Sequence, residues 1–562
     1  MNKLTKVPYI HKLISMLPFL IVTLSISTLE AATFYIDSSN GSDNKSGTTE
    51  STAWKSINKI EANSFSPGDI IAFKRGEIWY DKLTFKSSGT KDSPIIITAY
   101  GSGAKPIISA FGKLNGTWIN EGNNKWSIPA RGTVVSRLFK EGKEQKRTSI
   151  RKFGHTDEEF GNPNTNTVWI YENKRVYYYS TSNPQSSSFE GNLISSTIGI
   201  NGISHITIDD IELFGGPIDI RNSNNITIKN CIIGKKSSYG IEIKASKNLI
   251  IENNIFDADF TLKYANVKSY RGTDSRGVSD GIGVYIGLLN STIRYNTFKN
   301  WGHAAIALIS HNAIENNIIS HNIFTTPDTL YGRGIAMSGN GVQHNNIHHN
   351  YFYKQQTRSQ LNGKNNLIHH NWFNDMRNTP MKKGEHGQAF ALENYNGNPT
   401  GNIYEYNTFE NVVGPAIELV ASGSPSKDIS NNIFRKNLFK NCGLSPYYPN
   451  AKKTGIYVQD FIDIRANIFT DNAFSGIGKM VYHRKLHISP SEFNNRNGVK
   501  GDEISGNTYI VTDQGAGKLN ISNLGSNGSN NETIISESNT DNTEEDTTPE
   551  VTPFVMTKGV IK

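Results

Sequence analysis

Six side chains capable of acid, base or cationic chemistry lie beside short strand-like phrases in the middle of the chain: Asp280, His303, Arg333, His386, Glu393 and Glu418. In each phrase a small residue precedes an apolar, any, apolar triplet, as in Gly281-Ile282-Gly283-Val284. Alternate residues of a strand face opposite ways, so the apolar positions point into a core and the others point out. If the phrases stack in register, these six catalytic candidates meet on one outer surface.

One chemistry open to this set is removal of a proton beside a carboxylate, followed by elimination. It needs a base, a cation that neutralises the carboxylate and an acid for the leaving oxygen. Arg333 can hold a carboxylate through two hydrogen bonds. The base could be His303, His386, Lys382 or Lys383, and the acid could be Tyr331 or Tyr285.

Hydrolysis of a glycosidic bond would instead need two carboxyl groups, for which Glu393, Glu418 and Asp280 are available. Glu393 and Glu418 lie one coil apart and two residues out of line, which predicts an α-carbon separation of ~8 Å from strand rise and strand spacing. Inverting glycosidases hold their carboxyl groups roughly 6.5–9.5 Å apart. The residue types alone leave both chemistries open.

Polar side chains that flank the same phrases are the expected substrate contacts: Lys244, Tyr285, Tyr331, Ser338, Lys382 and Lys383. The central outward positions of the phrases include Ala307, Ala336 and Ala391, which we expect on three consecutive coils. Such small residues would form the floor of a groove that a chain-like ligand can approach closely. The alternative is that they only suit tight stacking of the coils.

The elements that must position these residues repeat along the chain. An Asn-any-Phe phrase recurs at intervals of 21 to 42 residues, beginning at Asn254, Asn296, Asn322, Asn350, Asn371, Asn407, Asn432 and Asn467. It alternates with the small-apolar phrases, and the period of two indicates short strands rather than helices. The stacked coils of a parallel β-helix fit this spacing, with apolar ladders in the core and an Asn ladder at a turn.

The N-terminal block contains Phe34-Tyr35-Ile36, Trp54-Lys55-Ser56-Ile57, Pro67-Gly68-Asp69 and Lys74-Arg75-Gly76-Glu77. With this block and the repeats, the sequence resembles the secreted right-handed parallel β-helix family that includes pectate-lyase-like carbohydrate-active proteins. The resemblance implies an all-β, right-handed, single-stranded parallel β-helix. It also implies an N-terminal helix that caps the first coil, with Trp54, Ile57 and Ile60 on its apolar face. Motifs of the mannuronan epimerases, polygalacturonases and alginate or chondroitin lyases are missing or incomplete, so the reaction type stays open.

Composition divides the chain into five segments. Residues 1–31 combine three Lys with an apolar run and end at Ala31-Ala32, a pattern typical of a secretory signal peptide, with an uncleaved membrane anchor as the alternative. We assign 32–112 to the cap and first coils, 113–190 to a β-rich insertion, 191–515 to the repeats and 516–562 to a low-complexity acidic tail. A secreted or periplasmic protein is therefore expected.

The charge distribution bears on the partner. The net charge is +8, yet residues 501–562 carry ten acidic residues against three Lys, so the body of the chain is basic. A basic body outside the cytoplasm predicts an anionic polysaccharide rather than nucleic acid as the partner. We expect a monomer with no membrane span after signal cleavage.

No cofactor or metal is expected from the sequence. Ca²⁺ would need oxygen ligands from adjacent coils, and no compact acidic cluster is evident around Glu242, Asp274 and Asp280. Four histidines of the central repeats are interpreted mainly as turn residues rather than zinc ligands: His348, His349, His369 and His370.

Together these patterns predict a secreted polysaccharide-degrading enzyme. The first expectation is a lyase that cleaves a uronate-containing polysaccharide by β-elimination, because of the basic body and Arg333. The second is a glycoside hydrolase with paired carboxylates. The third is a non-catalytic, glycan-binding or adhesin-type β-helix.

Overall fold

The structure is a computed structural model that describes residues 31–510 except 131–134, 146–167, 236, 238, 259–279, 326–331, 356–357, 377–386, 394–396, 421–428, 444–453, 459–463, 466, 478, 484–485, 489–502 and 506–507. The predicted signal segment, up to residue 30, and the predicted acidic tail lie outside the described residues. Within the described part of the chain, no helix is long and apolar enough to cross a membrane.

Each coil supplies one short parallel strand to each of three faces, so the chain forms a parallel β-helix as predicted. Face 1 carries the candidate site. Its strands are Leu83–Thr84, Ile198–Asn201, Ile218–Arg221, Ile241–Lys247, Asp280–Leu289, Ala304–Ile309, Arg333–Ser338, Ser359–Leu361, Phe390–Glu393, Ile417–Val420, Thr454–Val458 and Lys479–His483.

Face 2 precedes face 3 in each repeat of the chain. The strands of face 2 are Thr33–Ile36, Ile70–Lys74, Ile95–Tyr100, Ser204–Asp209, Asn224–Lys229, Ile250–Glu252, Thr292–Arg294, Ile318–Ser320, Asn346–His348, Leu367–His369, Ile403–Glu405, Ile433–Arg435, Ile468–Thr470 and Glu503–Ser505. Those of face 3 are Ile78–Trp79, Ile107–Ser109, Glu212–Phe214, Ile232–Lys235, Ile255–Asp257, Thr297–Lys299, Ile323–Thr325, Tyr351–Tyr353, Trp372–Asn374, Thr408–Val412, Leu438–Cys442, Ala473–Ser475 and Thr508–Ile510. Shorter strands pair at the corners: Ile314–Glu315 with Val342–Gln343, Ile429–Ser430 with Ile464–Arg465, and Leu486–Ile488 with Lys479–His483.

Apolar side chains at alternate strand positions fill the space between the faces. The central residue of successive face 3 strands is a buried phenylalanine, and neighbouring rings stack 4.3–5.2 Å apart. This ladder comprises Phe256, Phe298, Phe324, Phe352, Phe373, Phe409, Phe439 and Phe474. Burial of one such ring contributes roughly 1.5–3 kcal/mol, so the ladder is a large part of the core.

Both additions predicted around the coils are present. A short helix, Ile57–Glu61, begins after Ser56, whose hydroxyl accepts a hydrogen bond from the Lys59 N–H, and Ile57 and Ile60 are buried. Trp54 is also buried but precedes the helix, where it pairs with Ile36 of the first strand. The described residues include two 3₁₀ turns, Glu50–Thr52 and Pro184–Ser186.

The described part of the β-rich insertion contains two antiparallel sheets. One contains Phe111–Lys113, Leu138–Lys140, Lys143–Glu144 and Phe189–Asn192, and the other contains Ile119–Asn120, Lys125–Pro129, Trp169–Glu172 and Arg175–Tyr179. The buried guanidinium of Arg137 pairs with Glu144 and donates to the backbone carbonyl of Ala258, which ties the insertion to the coils.

Two ladders of buried asparagines fix the stacking of the coils. In each ladder, the side-chain amide of one Asn donates to the carbonyl oxygen of the Asn in the next coil at 2.9–3.1 Å, and that oxygen also accepts a backbone N–H. The first ladder, which precedes face 3, comprises Asn254, Asn296, Asn322, Asn350, Asn371, Asn407, Asn437 and Asn472. The second ladder, which precedes face 2, comprises Asn317, Asn345, Asn366, Asn402, Asn432 and Asn467.

This arrangement corrects one detail of the repeat read from the sequence. Asn432 and Asn467 share the Asn-any-Phe phrase but belong to the second ladder, while Asn437 and Asn472 continue the first. The phrase is ambiguous there because in these coils an apolar strand with a central Phe follows both corners.

The residue before each Asn of the first ladder bends the chain with a positive φ of 52–56°, as at His321, His349 and His370. Asn, Asp and His are the non-glycine residues that most readily adopt this conformation, which explains the histidines of the repeat. Their rings form an outer stack from Tyr295 to Tyr406, with centroids 4.9–5.1 Å apart. His349 and His370 are thus turn residues, whereas His348 and His369 end strands of face 2.

Removal of one amide from the first ladder should destabilise the protein markedly. Asn350 accepts two hydrogen bonds from Asn322 and donates to Asn371 and to the Ile319 carbonyl. Because a buried polar group left without a partner costs about 1–3 kcal/mol, Asn350→Ala should lower the free energy of unfolding by about 2–4 kcal/mol. Urea denaturation checks this. Asn201→Ala, at an exposed strand position, is the control and should change the free energy of unfolding by less than about 0.5 kcal/mol.

Three half-buried histidines beside the first ladder should make stability depend on pH. Burial, together with the neighbouring histidines, lowers the pKa of His348 to about 4 and the pKa of His349 and His369 to about 3. The unfolded chain, with a histidine pKa near 6.5, therefore binds more protons, so stability is complete above about pH 6.5 and falls as the pH drops towards 3. His349→Asn, which tolerates the same backbone conformation, should reduce the difference in melting temperature between pH 7.5 and 4.5. An unchanged difference in melting temperature would contradict the lowered pKa of His349 in the folded protein.

Candidate active site

The register of face 1 brings the predicted residues into columns. Asp280 is level with Ala304 and Arg333, and the inward residues Ile282, Ile306 and Ile335 are level with one another. Further along, Ala391 is level with Glu418, so Glu393 and Glu418 lie one coil apart and two residues out of line, as the repeat predicted. Six successive strands, from Asp280–Leu289 to Ile417–Val420, therefore hold the described part of the site.

A first cluster joins Asp280, His303, Arg333 and Tyr285. His303 Nδ1 lies 2.7 Å from Asp280 Oδ1, the Tyr285 hydroxyl donates to Asp280 Oδ2, and Arg333 Nη1 lies 3.2 Å from His303 Nε2. A guanidinium can only donate, so His303 Nε2 accepts and the ring proton is on Nδ1, where it is donated to Asp280. Asp280 is fully buried, so it orients His303 and Tyr285 and is not itself open to a ligand.

A second cluster is centred on Arg358, which the sequence did not single out. Its Nη1 pairs with Glu418 and its Nη2 pairs with Glu393, so one guanidinium bridges both carboxylates. Two glutamines complete the cluster: Gln360 Nε2 donates to Glu393 at 2.6 Å, and Gln388 Nε2 donates to Glu418 at 2.8 Å. Both glutamates are buried, with 7% of each residue exposed, yet neither is fully enclosed.

The pKa values of the two glutamates are shifted in opposite directions. Burial raises the pKa of Glu418 above its ordinary value, Glu393 adds to that increase, and Arg358 offsets only part of it. Burial would also raise the pKa of Glu393, but the charges of Arg358 and Arg333 together hold that pKa below its ordinary value. A pair of neighbouring acids with displaced and opposite pKa values is the arrangement that separates a proton donor from an ionised carboxylate.

The outward row of small residues differs from the expectation in two respects. Gln360 lies between Ala336 and Ala391, so the prediction that Ala occupies this position on three consecutive coils was wrong. Ala307, Ala336 and Ala391 are also fully buried rather than open to solvent. The small side chains allow close packing over this part of face 1, and the polar side chains around them are what a ligand could reach.

The remaining predicted residues fall into two groups. Lys244 pairs with Glu242 of its own strand, at a bulge, and Ser338 is buried level with Ile309. Four others lie outside the described residues: Tyr331, Lys382, Lys383 and His386. In the described ranges, no group of three or more His, Cys, Asp or Glu side chains is arranged to hold a metal ion.

Sequence reasoning missed Arg358 and Gln360 for an identifiable reason, and it also missed Gln388, which lies just before a strand that was recognised. The strand Ser359–Leu361 replaces the small-apolar phrase with Ser-Gln-Leu, so that coil was not recognised and its outward residue was not placed in the row. The signal that could have found it is the spacing of the ladder, since Asn350 and Asn371 are 21 residues apart and require a face 1 strand between them.

Comparison with known proteins agrees with this architecture. A family model described as a right-handed beta helix region matches residues 265–447, about a third of the chain. A lacto-N-biosidase of Bifidobacterium longum subsp. longum is 34% identical over 124 residues, which is 20% of this chain and 8% of that protein. The chain therefore spans less than a tenth of the curated relative that it matches.

Similar solved structures have low identity. A xylose complex of XylC is 14% identical with a TM-score of 0.48, and the match covers 81% of this chain and 86% of that one. A PL6 family polysaccharide lyase of Pseudopedobacter saltans is 11% identical with a TM-score of 0.47, covering 84% and 97% of the two chains. A GH136 lacto-N-biosidase of Eubacterium ramulus is 16% identical with a TM-score of 0.38, covering 85% and 68%. At these scores the similarity says nothing about activity.

Loss of the bridging guanidinium should cost stability. Arg358→Leu would leave two buried carboxylates facing each other, and removal of one partner from a buried ion pair typically costs about 3–5 kcal/mol. We expect a loss of that size in the free energy of unfolding at pH 7, measured with urea, and a smaller loss for Arg358→Lys, which keeps the charge. The pKa of Glu393 should rise in Arg358→Leu, so part of the loss should be recovered at pH 5. A change below about 1 kcal/mol at pH 7 would show that the bridge is not formed.

Proposed function

We propose that this right-handed parallel β-helix protein is a carbohydrate-cleaving enzyme, and more narrowly a glycoside hydrolase that uses Glu393 and Glu418. The observation that carries the proposal is the pair of nearly buried carboxyl groups bridged by Arg358, one with a raised and one with a lowered pKa. In this proposal Glu418 is the general acid and Glu393 is the ionised partner.

The bridge that Arg358 forms between the two glutamates favours retaining over inverting hydrolysis. Two carboxylates that pair with the two amino groups of one guanidinium favour the short separation of roughly 5–5.5 Å found in retaining enzymes over the 6.5–9.5 Å of inverting ones. Glu393 would then attack the anomeric carbon while the glycosidic C–O bond breaks and Glu418 gives its proton to the leaving oxygen. Water would next attack the same carbon, lose its proton to Glu418 and release the Glu393 carboxylate.

The charges of the site favour a neutral glycan. Arg358 faces Glu393 and Glu418, and Arg333 adjoins the pair formed by His303 and Asp280. The described part of the site thus has no excess positive charge to neutralise a uronate, although the basic body suggested an anionic substrate. The local similarity to a lacto-N-biosidase is consistent with glycoside cleavage.

Elimination is the second candidate, and one observation favours it. His303 is oriented by Asp280, its Nε2 adjoins Arg333, and the Tyr285 hydroxyl is close by. A base, a cation and an acid therefore occur within a few ångströms of one another, as uronate elimination needs. An unsaturated product, detected by its ultraviolet absorbance during digestion of alginate or polygalacturonate, would favour this chemistry.

The test combines a substrate screen with three variants. Against the neutral glycans and uronans that the parent cleaves, Glu393→Gln and Glu418→Gln should each lower kcat/KM by roughly 10²–10⁴, the usual contribution of an acid or base. Glu405→Gln, at a glutamate that pairs with Arg435 on face 2, is the matched control and should keep full activity.

Two further readouts separate catalysis from a structural effect. Activity should fall as the pH rises through the raised pKa of Glu418, because the general acid must be protonated. The residual activity of Glu418→Gln should not show this decrease. Azide should restore turnover to Glu393→Ala if Glu393 is the nucleophile. Full activity of both Gln variants would refute the assignment, and glycan binding by a parent that turns over no substrate would favour a non-catalytic binding protein.

A further inference from the structure

A cavity of about 590 Å³ lies between the β-rich insertion and the first coils, away from the site on face 1. Its walls come from the face 3 strands Ile78–Trp79 and Ile107–Ser109 and from the insertion strands Phe111–Lys113 and Phe189–Asn192. This volume falls in the range of roughly 300–1,000 Å³ that small-molecule sites occupy. The cavity therefore has room for a sugar unit.

A tyrosine ring is displayed at this cavity. Tyr80 is 67% exposed, which is the highest value among the exposed large hydrophobic side chains of the described residues, and Ile78 beside it is 39% exposed. Exposed apolar side chains that group at a concave surface usually mark a binding site. The face of a sugar ring carries C–H groups that pack against an aromatic ring, so Tyr80 is suited to a saccharide.

The polar groups of the cavity are balanced in charge. Lys113 and Glu190 are direct partners on neighbouring strands, and they are the charged members of the described lining. Asn115 adds an amide at the exposed rim. A lining with one positive charge, one negative charge and one amide offers hydrogen bonds to hydroxyl groups and favours neither an anion nor a cation.

We propose that this cavity is a second saccharide-binding subsite, which holds part of a neutral glycan while another part of the same chain reaches face 1. The proposal rests on the proposed function for its ligand class. Seven strand spacings separate Ile107–Ser109 from Trp372–Asn374, which belongs to the coil of Glu393, so the subsite lies ~34 Å from the carboxylates along the stack. The subsite would therefore contribute to the binding of glycans long enough to reach both places, and not to the binding of short ones.

The test measures binding separately from cleavage. Glu418→Gln protein is run through native gels that contain galactomannan, arabinoxylan or, as an anionic control, alginate. We expect a neutral polysaccharide to slow migration and Tyr80→Ala to weaken this binding roughly tenfold. Tyr80→Phe, which keeps the ring, and Tyr295→Ala, which removes a 50% exposed tyrosine elsewhere, should bind like the unmodified chain.

Three results would overturn the subsite: equal binding by Tyr80→Ala, loss of binding in Tyr295→Ala to the same extent, or retardation by alginate alone. In the active enzyme, Tyr80→Ala should raise KM for the polysaccharide and leave the hydrolysis of a short oligosaccharide unchanged. If the parent cleaves glycans and Tyr80→Ala binds normally, only the subsite fails. If binding depends on Tyr80 but no glycan is cleaved, only the hydrolase proposal fails.

Discussion

The hydrogen bonds between asparagine amides of successive coils are the constraint on which the rest of the structure depends. Each ladder amide is buried, and each is satisfied only if the next coil presents its own Asn at the same height. A slip of one residue would expose the inward side chains of every strand in that coil and leave several buried donors and acceptors without partners. The ladders therefore fix the register of the faces to the residue.

The corners of the coil differ, and this difference determines where function can develop. The corner between face 2 and face 3 is a short turn held by the first ladder, as where two residues separate Glu252 from Ile255. The corner between face 3 and face 1 varies in length: four residues separate Lys299 from Ala304, whereas 22 separate Asp257 from Asp280. Additions to the chain are thus admitted next to face 1 without disturbing the register, and loops on a rigid scaffold are the usual place for binding and catalysis.

The polar groups of face 1 are costly to bury and are retained nonetheless. A buried ion pair is often no more stable than apolar residues of similar volume, so the bridge of Glu393, Arg358 and Glu418 is weak as a purely structural device. The shared arginine has a definite chemical consequence, because it cannot satisfy both carboxylates equally. Arg333 is close to Glu393 and adds to its stabilisation, while Glu418 gains protons more readily. Two identical side chains thereby acquire different acid strengths.

The sequence by itself determined the parallel β-helix and the offset between Glu393 and Glu418, since both follow from a period of two and a recurring Asn. The insertion was marked by the break in that repeat, and the capping helix was implied by the resemblance of the N-terminal block to a known family. It could not show that Ser359-Gln360-Leu361 is a further coil, because this strand lacks the apolar phrase and is identified only by its pairing with both neighbours. Nor could it show the contact of Arg358 with two carboxylates. Acid strength depends on burial and on charges a few ångströms away, and only the stacking of residues that are 35 and 60 positions apart in the chain brings those charges together.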